Sequence, residues 1–302
     1  MVSTKLEKLN LLDKFLFDEA MEDKETYQAV LSILLENEVE ILEKPETEKE
    51  LRVSPQLRQV RLDVVVMDVE KKFYYTEMQK RDTKNLIKRS RYYQALVDSS
   101  LLEPGSKDFN LLNDSCFILI APFDIFGRGL YRYTFEGRCR ECPDLTLEDG
   151  MIKVFINTKG RNKEDFSQEF LDLMEYIEMT TDETAKKVES KRIKKIHERI
   201  CLIRKSEEAG IKYMQRWEEL VYAREDGKEE GIKEGIKEGI KEGELGKLIE
   251  LVCKKLSRNK TPEMIAEELE TDLDEIFPIC EAAEAFAPEY DSRKVRRKFL
   301  LE

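Results

Sequence analysis

Between Gln59 and Lys80 the chain changes to a period of two: Val60, Leu62, Val64 and Val66, then Phe73, Tyr74 and Tyr75, parted by the polar stretch Asp68 to Lys72. Successive side chains of a strand point to opposite faces, so this alternation around a short polar break predicts two antiparallel strands and a tight turn. A hairpin of β-branched and aromatic residues cannot bury both faces by itself and needs helices or further strands against it. The flanking sequence supplies both.

Upstream, Leu6, Leu9, Leu12 and Leu16, then Val30, Leu31, Leu34 and Leu35 recur at three-and-four spacing with no proline before Pro45, which predicts helix over residues 5–43. Downstream, residues 82–102 return to a helical pattern stopped by Pro104-Gly105. The runs Cys116 to Ala121, Leu130 to Phe135 and Ile152 to Ile156 are short, apolar or alternating. They are bounded by Pro122, Gly127, Gly129 and Asp149-Gly150, so they read as strands. The order helix, hairpin, helix, strands predicts an α/β (α+β) domain over residues 1–160, with a mixed central sheet flanked by helices.

Residues 161–226 form a charged helical extension, with Phe166, Phe170, Leu173, Met174, Ile177, Ile200, Ile203, Tyr213, Trp217 and Leu220 as the packing stripe of two or three helices. Residues 227–243 repeat Gly-Ile-Lys-Glu from Gly231, Gly235 and Gly239. Each glycine costs a helix about 1 kcal/mol against alanine, so this segment reads as a semi-rigid helical linker, or as an interface where glycine lets two backbones approach. Residues 244–302 read as a small helical region, with Thr261 as an N-cap and Pro262 at the first helical position. A homo-oligomer through these C-terminal helices is one expected partnership.

Several function classes drop out on composition. No apolar run approaches the roughly 20 residues of a membrane span, and the first ten residues lack the apolar core of a secretory signal, so a cytoplasmic protein with no membrane partner is expected. The six cysteines are too sparse for a disulfide scaffold, and Cys139-Arg-Glu-Cys142 lacks the second pair of ligands that zinc asks for. One histidine, His197, rules out mechanisms built on several imidazoles; it lies in a highly charged helical pattern and reads as a solvated helix residue. The net charge of −12 argues against non-specific coating of nucleic acid, although Lys80, Arg81, Lys84, Lys88, Arg89 and Arg91 cluster directly after the hairpin.

If the hairpin turn centres on Glu70, Asp63 lies opposite Glu77, and Gln79 shares their face, with Lys80 on the other. Two facing carboxylates repel unless a cation sits between them, and Mg²⁺ binds through one or two carboxylates while keeping water and substrate phosphate in its shell. The alternative is a pair at a solvated sheet edge, and a one-residue slip would put the two on opposite faces.

The runs Arg61-Leu62-Asp63-Val64, Tyr75-Thr76-Glu77-Met78-Gln79 and Ile87-Lys88-Arg89-Ser90-Arg91-Tyr92-Tyr93, with the opening Leu12-Asp13-Lys14-Phe15-Leu16-Phe17 and the C-terminal Gly-x-x-Glu repeats, resemble the Rpn family. These are recombination-promoting nucleases and transposases, a branch of the PD-(D/E)XK nucleases. The resemblance implies a restriction-endonuclease-like core and a Mg²⁺- (or Mn²⁺-) dependent DNA endonuclease associated with recombination or a mobile element. It makes Asp63 and Glu77 the metal-binding pair. Gln79 falls where the wider superfamily has lysine; an amide orients a water or a phosphate oxygen but supplies no charge. Lys80, Lys88, Arg89 and Arg91 would then contact DNA. The rival reading is a catalytically inactive module of nuclease fold acting in protein association.

Overall fold

The structure is a computed structural model that describes residues 6–51, 59–102 and 105–299. The chain divides into two compact units, Met1–Arg216 and Trp217–Glu302. In the first, α1 (Lys14–Met21) and α2 (Lys24–Leu35) precede a meander of β1 (Glu46–Leu51), β2 (Val60–Met67) and β3 (Phe73–Met78). Helix α3 (Leu86–Leu101) leads to β4 (Ser115–Ala121), then come β5 (Arg132–Phe135), β6 (Met151–Asn157), α4 (Gln168–Glu178), α5 (Asp182–Lys187) and α6 (Lys191–Lys205).

The strands form one six-stranded sheet in the order β1-β2-β3-β4-β6-β5. The meander is antiparallel, β3 runs parallel to β4 through the crossover α3, β4 is parallel to β6, and β5 is antiparallel at the far edge. β4 is apolar throughout apart from its opening Ser115 and is buried at every position, as a strand covered on both faces must be. One face carries Val64, Val66, Tyr74, Ile118 and Ile120 against α1, α2, α4 and α6. The other carries Val65, Tyr75, Phe117 and Phe155 against Leu86, Leu96 and Val97 of α3. The class is the mixed α/β one read from the sequence, followed by a long helical C-terminal region.

Differences from the sequence reading have local causes. The helix expected over 5–43 is two helices, because Asp23 caps a fresh one through Thr26 N and Glu36 ends it in the left-handed conformation. Val39 to Leu42 is not helical, and Ile41 is bridged to Asp68. β1 leaves no signal in the sequence because Glu46-Thr-Glu-Lys-Glu-Leu51 has no apolar alternation; it is an edge strand protected by charge. The expected helix from Asp82 begins at Leu86, and Pro104 at its expected stop lies outside the described residues. His197 is not solvated: its side chain is 15% exposed and packs edge-on against Tyr176.

Helix α7 (Glu207–Leu256) holds the whole Gly-Ile-Lys-Glu repeat without a break. In the second unit its C-terminal part packs with α8 (Pro262–Leu269), α9 (Leu273–Glu284) and α10 (Ser292–Phe299) around Ile249, Val252, Ile265, Ile276, Ile279 and Val295. Thr261 caps α8 through Met264 N, with Pro262 in the first turn, as read from the sequence. Among the described residues no helix is long and apolar enough to cross a membrane.

Candidate functional site

The hairpin pairs Val64 with Thr76, Val65 with Tyr75, Val66 with Tyr74 and Met67 with Phe73, the register that brings Asp63 level with Glu77. At that level side chains take over from the ladder. The Asp63 N–H donates to Glu77 Oε1 at 3.1 Å, and the Met78 N–H donates to Asp63 Oδ2 at 2.9 Å. Leu62 faces one core and Val64 the other although they are two residues apart, so the alternation of β2 slips at Asp63. On the outer side, Glu48 lies between the pairs Thr47–Val64 and Lys49–Leu62 with a left-handed φ of 52°. The irregularity frees backbone donors for two buried carboxylates that would otherwise lack them.

Helix α1 completes the cluster. Lys14 donates to Asp63 Oδ1 and lies 3.4 Å from Asp18 Oδ2. Asp18 is 4% exposed, and its Oδ1 is buried without a hydrogen-bond partner. Burial pushes its carboxyl up to about 7 despite Lys14 and Arg216. Arg216 lies 3.5 Å from Asp18 and 3.0 Å from Glu48. Glu77 is 5% exposed and is likewise pushed up to about 7 by burial, against the pull of Arg89 and Lys14, while Asp18 adds to the rise. Asp18, Glu48, Asp63 and Glu77 therefore share one electrostatic environment with Lys14, Arg89 and Arg216.

Gln79 is held from two sides. Arg89 Nη2 donates to its Oε1 at 2.6 Å, and its own Nε2 donates to the Arg81 carbonyl at 2.6 Å. Arg89 also lies 3.8 Å from Glu77 and over the Tyr93 ring, so this helix residue ties Gln79 to the carboxylates. Beside it Gln59, Val60, Arg61, Asn85, Lys88 and Tyr92 line a cleft of about 520 Å³. Lys80, Lys88 and Arg91 are exposed, the last two on α3. Gln94, by contrast, bonds Tyr75, Asp98 and Ser115 and belongs to the core rather than to the carboxylates.

Asp18, Lys14, Glu48 and Arg216 were not singled out from the sequence. Asp18 did leave a signal: it follows Phe15, Leu16 and Phe17 on a helix whose other buried positions are apolar, and a carboxylate there needs a reason. Asp63 and Glu77 offer hard oxygens of the kind Mg²⁺ or Mn²⁺ takes, but no three carboxylates of this cluster come together as a ligand group among the described residues. Cys139 and Cys142 point to Glu141 and Asp144 and belong to no group of three metal-ligand side chains among the described residues. No family model, curated protein or solved structure matches this chain, so what the site does rests on its own chemistry.

Proposed function

We propose that the chain is a metal-dependent endonuclease that hydrolyses phosphodiester bonds in DNA, on a core of the restriction-endonuclease kind. The observation that carries this reading is the pair Asp63 and Glu77, buried side by side at the end of the hairpin with the unpartnered Asp18 oxygen in their electrostatic reach. Each buried carboxylate costs several kcal/mol to desolvate even with a cation near, so their clustering is weak as a device for stability. The element order of helix, three-stranded meander, crossover helix and parallel strand, and the resemblance in the sequence, support the same reading.

Asp63 and Glu77 would hold Mg²⁺ or Mn²⁺, with water and substrate phosphate completing its shell. Such an ion acidifies a bound water and neutralises charge developing on the phosphate. Gln79, pinned by Arg89, orients a water or a non-bridging phosphate oxygen. Lys14 brings to Asp63 the ammonium that Gln79 cannot supply. Arg61 and Lys88 offer positive charge to the strand along the cleft, Tyr92 and Tyr93 give it flat walls, and the exposed Lys80 and Arg91 extend the positive charge beyond it.

The test is nicking of supercoiled plasmid with Mg²⁺, with Mn²⁺ and with EDTA. The expected result is metal-dependent cleavage that falls at least a hundredfold in Asp63→Asn and Glu77→Gln. Equal cleavage by wild type and both variants would remove the site. The rival reading, a non-catalytic module, draws on Lys14 already neutralising Asp63; absence of cleavage under every divalent metal would favour it.

A further inference from the structure

The lone histidine stands in a second cluster, independent of the carboxylates at the hairpin. His197 and Cys201 are one turn apart on α6, and Asp182 opens the neighbouring α5. Asp182 Oδ1 lies 3.2 Å and Cys201 Sγ 3.5 Å from His197 Nε2, and the three ligand atoms all lie within 4.8 Å of one another. The other ring nitrogen, Nδ1, is 2.8 Å from the hydroxyl of Tyr176, a side chain with no exposed surface.

Two readings compete for a Cys-His-Asp group. In a nucleophilic triad the carboxylate must bond the nitrogen remote from the thiol, to hold the tautomer that takes the thiol proton. Here carboxylate and thiol both face Nε2, and Nδ1 is taken by Tyr176. That excludes the triad and matches three donors converging on one point. Tetrahedral zinc, with bonds of about 2.0–2.1 Å to nitrogen or oxygen and about 2.3 Å to sulfur, spaces N and O about 3.3 Å apart and N and S about 3.6 Å apart. The observed 3.2 and 3.5 Å fall close to both. A hydrogen-bonded partner on the second ring nitrogen is what orients a metal-bound imidazole.

We infer that Asp182, His197 and Cys201 form a site for a zinc-class divalent ion, which clips α5 to α6. The Cys201 thiol loses its proton to solvent as the sulfur–metal bond forms, His197 binds through Nε2, and the exposed Asp182 carboxylate supplies an anionic oxygen. Water fills the fourth position. The soft sulfur and the imidazole select this class of ion over Mg²⁺, which the all-oxygen cluster suits. α5 is six residues long and buries only Thr184 and Ala185, so a metal bond to its first residue would hold it in place.

The experiment is a Co²⁺ titration of the full-length protein, followed by the thiolate-to-cobalt charge-transfer absorption and by displacement with Zn²⁺. The expected result is a band that saturates at one thiolate-bound Co²⁺ per chain, survives Cys139→Ser with Cys142→Ser, and vanishes in Cys201→Ser. Asp182 is exposed, so Asp182→Asn leaves the core untouched and should weaken binding at least tenfold. Tyr176→Phe keeps the ring and should weaken it about tenfold. Absence of the band in wild type, its loss with the Cys139–Cys142 pair, its persistence in Cys201→Ser, or unchanged affinity in Asp182→Asn would each overturn the site.

Discussion

At the scale of single residues, the two carboxylates of the hairpin are unlike each other. Asp63 accepts the buried Met78 amide and the Lys14 ammonium, so Asp63→Ala leaves the amide without a partner and the ammonium with Asp18 alone, and should cost about 1–3 kcal/mol. Glu77 pays mainly for its burial: its carboxyl rises from 4.5 to about 7 on folding. The folded state then binds more protons than the unfolded chain between those values, and stability falls as pH rises through that window. The slope is about 1.4 kcal/mol per pH unit from Glu77, and Asp18 acts in the same direction. Chemical denaturation of metal-free protein at pH 5 and pH 8 should show the decline, and Glu77→Gln should reduce it and stabilise the protein at pH 8. A flat profile in wild type would mean that Glu77 is solvated.

At the scale of elements, α7 is helical for 50 residues in spite of its glycines. Its repeat has Ile232, Ile236 and Ile240 more than half exposed, and a Cβ at Gly231, Gly235 or Gly239 would meet nothing within 4 Å. Within one chain these glycines therefore serve no packing need. Gly231→Ala, Gly235→Ala and Gly239→Ala together should stabilise the helix, each by up to about 1 kcal/mol, read as a later melting of the helical signal. A fall in oligomer mass by sedimentation in the same triple variant would show that the glycine stripe is a contact between copies. The α3 helix illustrates a different point: its basic residues read as DNA contacts, yet Arg89 is committed to Gln79 and Glu77 and is the link between helix and hairpin.

At the scale of the molecule, the division between Met1–Arg216 and Trp217–Glu302 leaves every member of the carboxylate cluster in the first unit, Arg216 included. A chain ending at residue 225 should therefore keep its fold and its pH profile, with a melting temperature within a few degrees of that of the full chain's sheet domain; collapse of near-ultraviolet dichroism in that fragment would contradict the division. The hairpin and its register were legible in the sequence because a strand's period of two and a short polar turn are both local features. The strands β4 and β6 were legible for the same reason, as short apolar runs between turn residues. The charged edge strand β1 was not, since its pairing comes from β2 rather than from its own residues. Nor was the company that Asp63 keeps: Lys14 lies 49 residues away, and Arg216 reaches Asp18 across 198. The burial of His197 has the same cause, because it depends on Tyr176 of another helix. Local periodicity thus determined which segments are strands and helices, whereas the packing of helices on the sheet decided which distant charges meet, because no local pattern encodes a contact between residues so far apart in the chain.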